Sequence, residues 1–485
     1  MKMKSLHLVI AGMSLCFAAS GGITQGQPPF QEIELLNTAA FADNPSNWQI
    51  TGDAWYHPEK NVLKKETGTG ILLNEPSGKE HDPIRTTMEH GNVVVEFDFM
   101  LAPGSSAAVY LQGRYGIALT DSWTENVPIS QACGNIPAMS RLTGEGSPVV
   151  PAGIPPRMDL ARAPGLWQNL RVVFQAPRFD AAGNKTADAR FLQVLLNGIA
   201  IHEDIALPTI NYPVLFDKEQ ATGPLVFSGN SRIALRNIRY HLFDETEKEQ
   251  VVLANPIPVR GVTPLIVTPA SKTIIQRCFL AGEDRKLTFC AVVGEPTQIH
   301  YAINLEQGAV IRLWKGAFID ATTMWHGRGD VQLARPLGSV VELPSQPAFA
   351  SLPDRNASWP DSMQQGYRFI QYRLDKQGRP TYNYSFNELE FIDRITPAEE
   401  DRLLTRSMQL TQGQPGKELW VLLAAGSRIE ELEKGLYAVD DKKYYIRLAD
   451  TKSPGVIHRK NNGREELLIP GSALNGQGLT WSYIW

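Results

Sequence analysis

Short runs of alternating apolar and polar residues, each bounded by glycine, proline, asparagine or aspartate, recur along most of this chain. A period of two is typical of half-buried β-strands, because successive side chains point to opposite faces of a sheet. In the first half, the pattern predicts strands at 93–100, 107–111, 115–120, 168–175, 191–196, 224–227 and 233–242. The sequence therefore predicts an all-β protein.

The second half continues the β pattern, and its exceptions are two short predicted helices. Residues 367–386 predict a β-hairpin with a polar turn. One helix is predicted at 397–405, because Thr396 suits an N-cap and Pro397 suits the first helical residue. A second helix is predicted at 429–434.

A charged run at 244–250, followed by two closely spaced prolines, interrupts the strand pattern. A chain of 485 residues is long enough for about two or three domains. The break predicts a linker at 245–260 that separates a unit at 28–244 from a second unit at 261–485. Few contacts are expected to cross it.

The first twenty residues predict the cellular location of the protein. Lys2 and Lys4 precede an apolar run at 6–19, and small residues follow at 18–22, which is the pattern of a secretory signal peptide at 1–20. Leu15 and Phe17 flank Cys16, whereas a lipid-anchored cysteine needs a small residue before it. The expected location is the periplasm or the medium, with no membrane partner after cleavage.

The charge balance bears on the expected partners, and the cysteines bear on possible disulfides. Lys and Arg number 47 against 51 Asp and Glu, so no general positive field attracts nucleic acid, and no such partner is expected. Three cysteines follow the predicted signal peptide, namely Cys133, Cys278 and Cys290. Cys278 and Cys290 either face each other across a hairpin or remain two separate thiols.

Four ordered motifs resemble the family of 3-keto-disaccharide hydrolases, also called 3-keto-glucoside lyases. The first motif, residues 107–123, resembles the core motif of that family; its sequence is Ala-Ala-Val-Tyr-Leu-Gln-Gly-Arg-Tyr-Gly-Ile-Ala-Leu-Thr-Asp-Ser-Trp. The other matching pieces are 133–136, 167–180 and 195–198 with 223–239. The resemblance implies a concanavalin-A-like jelly-roll sandwich for the first unit, followed by a second β-rich domain, and a sugar or glycoside ligand.

The departures from the family pattern bear on catalysis. Gly116 and Ala118 stand where the family has Glu and Gln, and residues 227–230 lack the histidine of the family. Removal of a proton beside a sugar ketone needs a positioned base and acid, which glycine and alanine cannot supply. The small residues alternatively form the floor of a sugar-binding groove.

The remaining candidates in the first unit are polar or aromatic. Arg114 is predicted to clamp a sugar oxygen and Asp121 to act as the base; alternatively the two form a salt bridge at a strand end. Trp123 either stacks on a sugar ring or packs in the core. Further predicted substrate-binding residues are Gln112, Asn230 and Arg236.

The second unit holds one dense cluster of titratable residues, His326 with Asp320, Arg328 and Asp330. His326 is a predicted catalytic residue, and Trp325 beside it is a predicted sugar-binding residue. Alternatively, the aromatic residues of 314–325 form core and the charges decorate a turn. No metal and no cofactor are predicted, because the histidines lack metal-ligand spacing and the nucleotide-binding motifs are absent.

Together these features predict a secreted carbohydrate-active protein that cleaves or binds 3-keto or unmodified glycosides. An enzyme, a hydrolase or lyase that acts on 3-keto-glycosides, is favoured, although the family-typical Glu, Gln and His are replaced. The alternative is a non-catalytic carbohydrate-binding or envelope structural protein.

Overall fold

The computed structural model describes most of the chain outside its first residues. The described ranges are 29–123, 127–139, 153–211, 216, 218–253, 262–326, 332–398, 403–449 and 455–485. The predicted signal peptide and residues 254–260 of the predicted linker lie outside them. In the described ranges, no helix has the length and apolar character needed to cross a bilayer.

In the part of the first unit that the structure describes, there are fourteen strands. They are β1 (Gln31–Glu32), β2 (Trp48–Tyr56), β3 (Leu63–Asn74), β4 (Ile84–His90), β5 (Val93–Leu101), β6 (Ser106–Leu111), β7 (Tyr115–Thr120), β8 (Gln168–Gln175), β9 (Arg178–Phe179), β10 (Lys185–Ala187), β11 (Ala189–Leu196), β12 (Ile199–Leu207), β13 (Gly223–Phe227) and β14 (Ile233–Leu242). Short 3-10 helices lie at Thr38–Ala40 and Ile129–Gln131.

Twelve of these strands form two facing antiparallel sheets, and β9 pairs with β10 in a separate two-stranded sheet. The large sheet has the order β12-β11-β8-β5-β14-β3-β2, with β1 paired to β14, and the small sheet has the order β4-β13-β6-β7. Phe97 and Phe99 of the large sheet meet Phe227 and Ile117 of the small sheet in one hydrophobic core. The predicted jelly-roll type of sandwich is confirmed, because alternate residues of strands such as β5 and β7 meet in the core between the two sheets.

The structure describes twenty strands within residues 262–326, 332–398, 403–449 and 455–485, which confirms the β-rich character of the second unit. They are β15 (Ile266–Val267), β16 (Ile274–Ala281), β17 (Lys286–Gly294), β18 (Ile299–Asn304), β19 (Ala309–Lys315), β20 (Ile319–Asp320), β21 (Arg335–Pro336), β22 (Ser339–Glu342), β23 (Phe349–Ser351), β24 (Tyr367–Leu374), β25 (Pro380–Phe386), β26 (Leu389–Pro397), β27 (Leu404–Gln412), β28 (Leu419–Gly426), β29 (Ile429–Glu433), β30 (Leu436–Val439), β31 (Tyr444–Leu448), β32 (Ile457–Asn461), β33 (Arg464–Pro470) and β34 (Leu479–Ile484). Helical turns lie at α1 (Lys248–Val251), α2 (Thr322–Trp325) and the 3-10 helix Gly471–Leu474.

Four sheets organise the second unit. Their strand orders are β15-β20-β21, β16-β17-β18-β19-β22, β23-β28-β33-β32 and β24-β25-β26-β27-β34-β31-β30-β29. Trp314 and Phe318 stack with ring centroids 5.9 Å apart and are buried. The interpretation of these two aromatic residues as core is therefore confirmed.

Both predicted helices are wrong. β26 continues to Pro397, which pairs with Leu404 at the start of β27, and residues 399–402 lie outside the described ranges. The second helix is replaced by β29, in which Ile429 and Leu432 are both buried. A β-bulge in β29 lets two residues three apart face the same core, and this spacing resembles a helical period.

The start of the predicted linker packs against the large sheet. Within 245–260, the short helix α1 buries Val251, whose backbone oxygen accepts a hydrogen bond from Arg171 Nη2 (2.8 Å). Val251 joins a small apolar cluster with Val94 on the outer face of that sheet. The boundaries of the two units stay a prediction.

Aromatic side chains join the two units. Trp123 Nε1 donates a hydrogen bond to the backbone oxygen of Trp485 (2.8 Å), and Trp55 Nε1 donates to the hydroxyl of Tyr445 (2.9 Å). All four side chains are buried within one hydrophobic cluster that contains residues of both units. The expectation of few contacts between the units is therefore wrong.

Two ion pairs reinforce this junction. Lys315 Nζ lies 3.0 Å from Asp159 Oδ2, and these side chains are only 9% and 14% exposed. Lys442 Nζ lies 3.0 Å from Asp53 Oδ1. Partly buried charges of this kind favour one relative placement of the units, because separating them leaves each charge without its partner.

Candidate functional site

The outer face of the large sheet carries a row of polar side chains. Asn169 of β8, Asp98 of β5 and Arg236 of β14 lie opposite one another in register on neighbouring strands. Asp98 points away from the core because its neighbours Phe97 and Phe99 point inward and are fully buried. The alternation of β5 thus fixes a carboxylate in the middle of this face.

Three donors hold that carboxylate. Asp98 accepts hydrogen bonds from Arg236 Nε (3.3 Å) and Asn237 Nδ2 (2.7 Å) at one oxygen, and from Asn169 Nδ2 (3.1 Å) at the other. The register of β14 shifts between Arg236 and Arg239, and Asn237 has a φ of +52°. This bulge lets two successive residues of one strand reach the same carboxylate.

A turn of the second unit covers the row. We call this turn, residues 440–443 between β30 and β31, the bridging turn. Its first three residues have φ values of +50°, +56° and +62°, a left-handed conformation that costs about 1–2 kcal/mol per residue. Contacts to the first unit hold it: Asp441 Oδ2 lies 2.7 Å from Arg236 Nη1, and Lys442 pairs with Asp53.

A cleft of about 350 Å³ lies between the polar row and the bridging turn. Its lining residues are Asp98, Arg162, Trp167, Gln168, Asn169, Asn197, Gly198, Arg236, Asp440, Asp441 and Lys443. Three of these are cationic and three are anionic, so the formal charges of the lining cancel. The cleft therefore offers both hydrogen-bond donors and acceptors without a net field.

One aromatic side chain contributes to the cleft wall. The guanidinium of Arg236 lies 4.0 Å from the ring centroid of Trp167, which is buried. Trp167 Nε1 has no hydrogen-bond partner among the described residues. Arg162 Nη1 donates to the backbone oxygen of Trp167 (3.3 Å), and burial lowers the pKa of Arg162 to about 10, so it stays a cation at neutral pH.

The predicted residues Arg114 and Gln112 lie in the turn between β6 and β7, outside the cleft lining. Arg114 is 2% exposed; it donates to the backbone oxygens of Gln112 (2.7 Å) and Lys218 (2.5 Å) and stacks on Phe216. Gln112 is fully buried and donates to the backbone oxygen of Ala221 (2.9 Å). Both side chains hold the local backbone.

Asp121 also bonds to the backbone. Its two oxygens accept hydrogen bonds from the amides of Gly104 (2.8 Å) and Trp123 (3.2 Å), and burial raises its pKa. Arg114 precedes β7 and Asp121 follows it. Seven residue steps of extended chain separate them, which places their Cα atoms about 23 Å apart. The alternative of a salt bridge between them is wrong, and the two cannot act together on one sugar bond. Trp123 packs in the junction between the units.

The face of β7 that carries small residues is not an open groove floor. Ile117 and Leu119 point into the core, as the alternation predicts. On the other face, a Cβ atom at Gly116 would come within 2.4 Å of the ring of Tyr110. Asn211 covers the adjacent strand edge, because its Oδ1 accepts from Gly116 N (2.6 Å). The ring of Tyr110 thus occupies the space that a sugar would need.

The predicted residue Asn230 is exposed on the turn between β13 and β14. Asn74 holds this turn, because its Nδ2 donates to the backbone oxygens of Gly229 (2.8 Å) and Ser231 (2.7 Å). Asn230 does not line the cleft. Arg236 is thus the predicted first-unit residue that the structure places in the cleft lining.

The cluster predicted in the second unit is only partly described. Trp325 is 68% exposed, and His326 follows it at the end of α2. Asp320 pairs with Arg335 (3.1 Å), while residues 327–331, which include the other two members, lie outside the described ranges. Within the described residues, no three His, Cys, Asp or Glu side chains group as metal ligands.

Several cleft residues have no distinctive signal in the sequence. Asp98 belongs to an ordinary alternating strand, and Asn169 and Trp167 occur within a motif without marking a site. Asp441 of the bridging turn lies 205 residues after Arg236 in the sequence. Only the three-dimensional pairing of the units brings these residues together.

Residues 33–240 match the family model described as a 3-keto-alpha-glucoside-1,2-lyase-like domain, which confirms the resemblance of the motifs. No curated protein matches the chain.

Solved structures show weaker likeness. One protein of Parabacteroides distasonis ATCC 8503, provisionally named a glycosyl hydrolase, is 15% identical, with a TM-score of 0.31 over 46% of this chain and 95% of its own. A second from the same organism, similarly named, is 17% identical, with a TM-score of 0.29 over 44% and 100%. The carbohydrate-binding module CBM66 of Bacillus subtilis is 9% identical, with a TM-score of 0.21 over 41% and 97%.

Proposed function

We propose, on the premise that residues 33–240 match the 3-keto-alpha-glucoside-1,2-lyase-like domain, that this protein binds a neutral glycoside in the cleft between its two units. The observation that carries the proposal is the in-register row of Asn169, Asp98 and Arg236, which meets Asp441 of the other unit. Ligand sites commonly lie at such boundaries between domains.

The chemistry of the cleft supports a sugar. Sugar hydroxyls donate and accept hydrogen bonds, and the lining offers amide, guanidinium and carboxylate groups in close succession. Its cancelling charges favour a neutral ligand over a phosphate or another anion. The volume of about 350 Å³ lies within the usual range for small-molecule sites.

Turnover of a 3-keto-glycoside is the second candidate, favoured by the description of the matching family domain. Such a reaction removes the proton from the carbon beside the ketone, which needs a base. Asp441 is the carboxylate of the cleft best placed for this step, because its side chain is 51% exposed and one oxygen pairs with Arg236. An Asp441→Asn variant that binds but does not turn over the 3-keto sugar would support this role.

Export is part of the proposal. Lys2, Lys4 and the apolar run at 6–19 support a signal peptide at 1–20 and a periplasmic or secreted location. N-terminal sequencing of exported protein tests it: a new terminus between residues 19 and 28 is expected, and a retained Met1 contradicts it.

The binding proposal is tested by calorimetry with α-glucosides and their 3-keto derivatives. Arg236→Ala removes charged hydrogen bonds of about 1.5–3 kcal/mol, so binding should weaken by about 10–150-fold. The matched control is Arg190→Ala, which removes an ion pair to Asp204 on the same sheet and outside the cleft lining. Equal affinities for Arg236→Ala and wild type, at unchanged melting temperature, contradict the proposal.

A further inference from the structure

A second cavity lies against the bridging turn. Its volume is about 550 Å³, and its lining residues are Glu342, Leu343, Pro344, Ala425, Gly426, Ser427, Asp440, Lys443, Asn462, Gly463 and Arg464. Asp440 and Lys443 line both this cavity and the cleft described above. The bridging turn is therefore a common wall of two adjacent binding volumes.

The shared wall is held firmly. Asp440 Oδ1 accepts hydrogen bonds from Ser427 N (2.7 Å) and Ser427 Oγ (3.0 Å), and Asp440 N donates to the backbone oxygen of Arg428 (2.9 Å). A Cβ atom at Gly426 would come within 2.5 Å of Asp440 Oδ1, so glycine allows this close approach. A ligand that crosses the turn would meet a fixed carboxylate.

The second cavity has the same chemical character as the first. Its lining contains two anionic and two cationic residues, so its formal charge also cancels. The tip of the β32–β33 hairpin adds the amide side chain of Asn462, which donates to Ser358 Oγ (3.1 Å) and leaves its carbonyl oxygen as an acceptor. Both volumes therefore suit a ligand with many neutral hydroxyl groups.

We propose that the two cavities are successive subsites for one oligosaccharide chain that passes over the bridging turn. This inference rests on the proposed function of the first cleft and extends it by naming the ligand class. A disaccharide occupies one cavity only, whereas a longer chain contacts both. The longer ligand gains hydrogen bonds to Arg464 and its neighbours, and it loses its translational and rotational entropy only once.

Calorimetric titration with gluco-oligosaccharides of two, four and six residues tests the inference. One additional subsite hydrogen bond of about 1.4 kcal/mol raises affinity about tenfold, so the hexasaccharide should bind at least about tenfold more tightly than the disaccharide. In Arg464→Ala this ratio should fall to about one. The matched control is Lys460→Ala, an exposed cation on the same hairpin that is outside both linings.

The two proposals fail in different ways. The second subsite is overturned if all chain lengths bind with equal affinity, or if Arg464→Ala leaves the ratio of hexasaccharide to disaccharide affinity unchanged. Binding of the disaccharide would still support the first cleft in either case. A disaccharide affinity that Arg236→Ala does not reduce overturns the first cleft. If no oligosaccharide binds at millimolar concentration, both proposals are overturned.

Discussion

Acidification from pH 7.5 to 5.0 should destabilise the protein through two buried neutral histidines, one in each unit. His90 Nε2 accepts from Gln112 N (3.0 Å), while its Nδ1–H donates to the backbone oxygen of Gly91 (3.0 Å). His300 Nδ1 accepts from Glu295 N (3.1 Å), while its Nε2–H donates to the oxygen of Gly316 (2.9 Å). Each ring is 1% exposed and is held in its neutral form.

The magnitude follows from the two pKa values. Burial lowers the pKa of His90 and of His300 from 6.5 to about 4. Between these values the unfolded chain binds more protons than the folded one, so the stability present above pH 6.5 is lost as pH falls towards 4. At pH 5.0, 1.5 units below the unfolded pKa, each histidine costs about 2 kcal/mol, or about 4 kcal/mol together.

Urea denaturation followed by tryptophan fluorescence at pH 7.5 and 5.0 measures this loss. The double variant His90→Gln, His300→Gln keeps hydrogen-bonding groups but does not titrate, so its pH dependence should shrink by about 4 kcal/mol, whatever its stability at pH 7.5. His326→Gln, an exposed position, serves as the control. A pH dependence equal to that of wild type in the double variant refutes the reasoning.

Two further predictions concern the second unit and its junction with the first. Asp159→Asn should cost about 3 kcal/mol because it removes the carboxylate that lies 3.0 Å from the buried ammonium of Lys315, and the added change Lys315→Met should recover most of that loss in urea denaturation; additive losses contradict the coupling. Cys278 and Cys290 are directly opposed residues of β16 and β17, so refolding with oxidised glutathione, which takes up their two hydrogens, should form one disulfide worth about 3 kcal/mol. Among the three cysteines after residue 20, mass spectrometry should then find only Cys133 free, and three free thiols among them contradict the prediction.

The alternation of residues predicted seven of the fourteen strands that the structure describes in the first unit, and it missed β2, β3, β4 and β12 among the longer ones. β7, β8 and β14 have the predicted bounds. β7 and β8 place alternate residues in the core between the sheets, and β8 also buries most of its other face. The failures occur where a tertiary contact changes the local period. The bulge that places Ile429 and Leu432 on one face of β29 is such a case, since its pairing partner decides the conformation.

The candidate site was less predictable than the fold. Arg236 was found because it lies in a recognisable motif, whereas Asp98 looks like any outward residue of a strand. Arg114 and Asp121 lie within another of the motifs, at 107–123, but an extended strand holds them apart. A motif read along the chain cannot show which side chains a β-sheet separates and which a distant turn brings together.

A crystal structure of the protein with a bound gluco-oligosaccharide tests the central claim most directly. The account predicts sugar hydroxyls within about 2.7–3.2 Å of Arg236 and Asn169 in the cleft, with the chain continuing over the bridging turn towards Arg464. A sugar bound only on the small sheet near Gly116, or only beside Trp325, would contradict it.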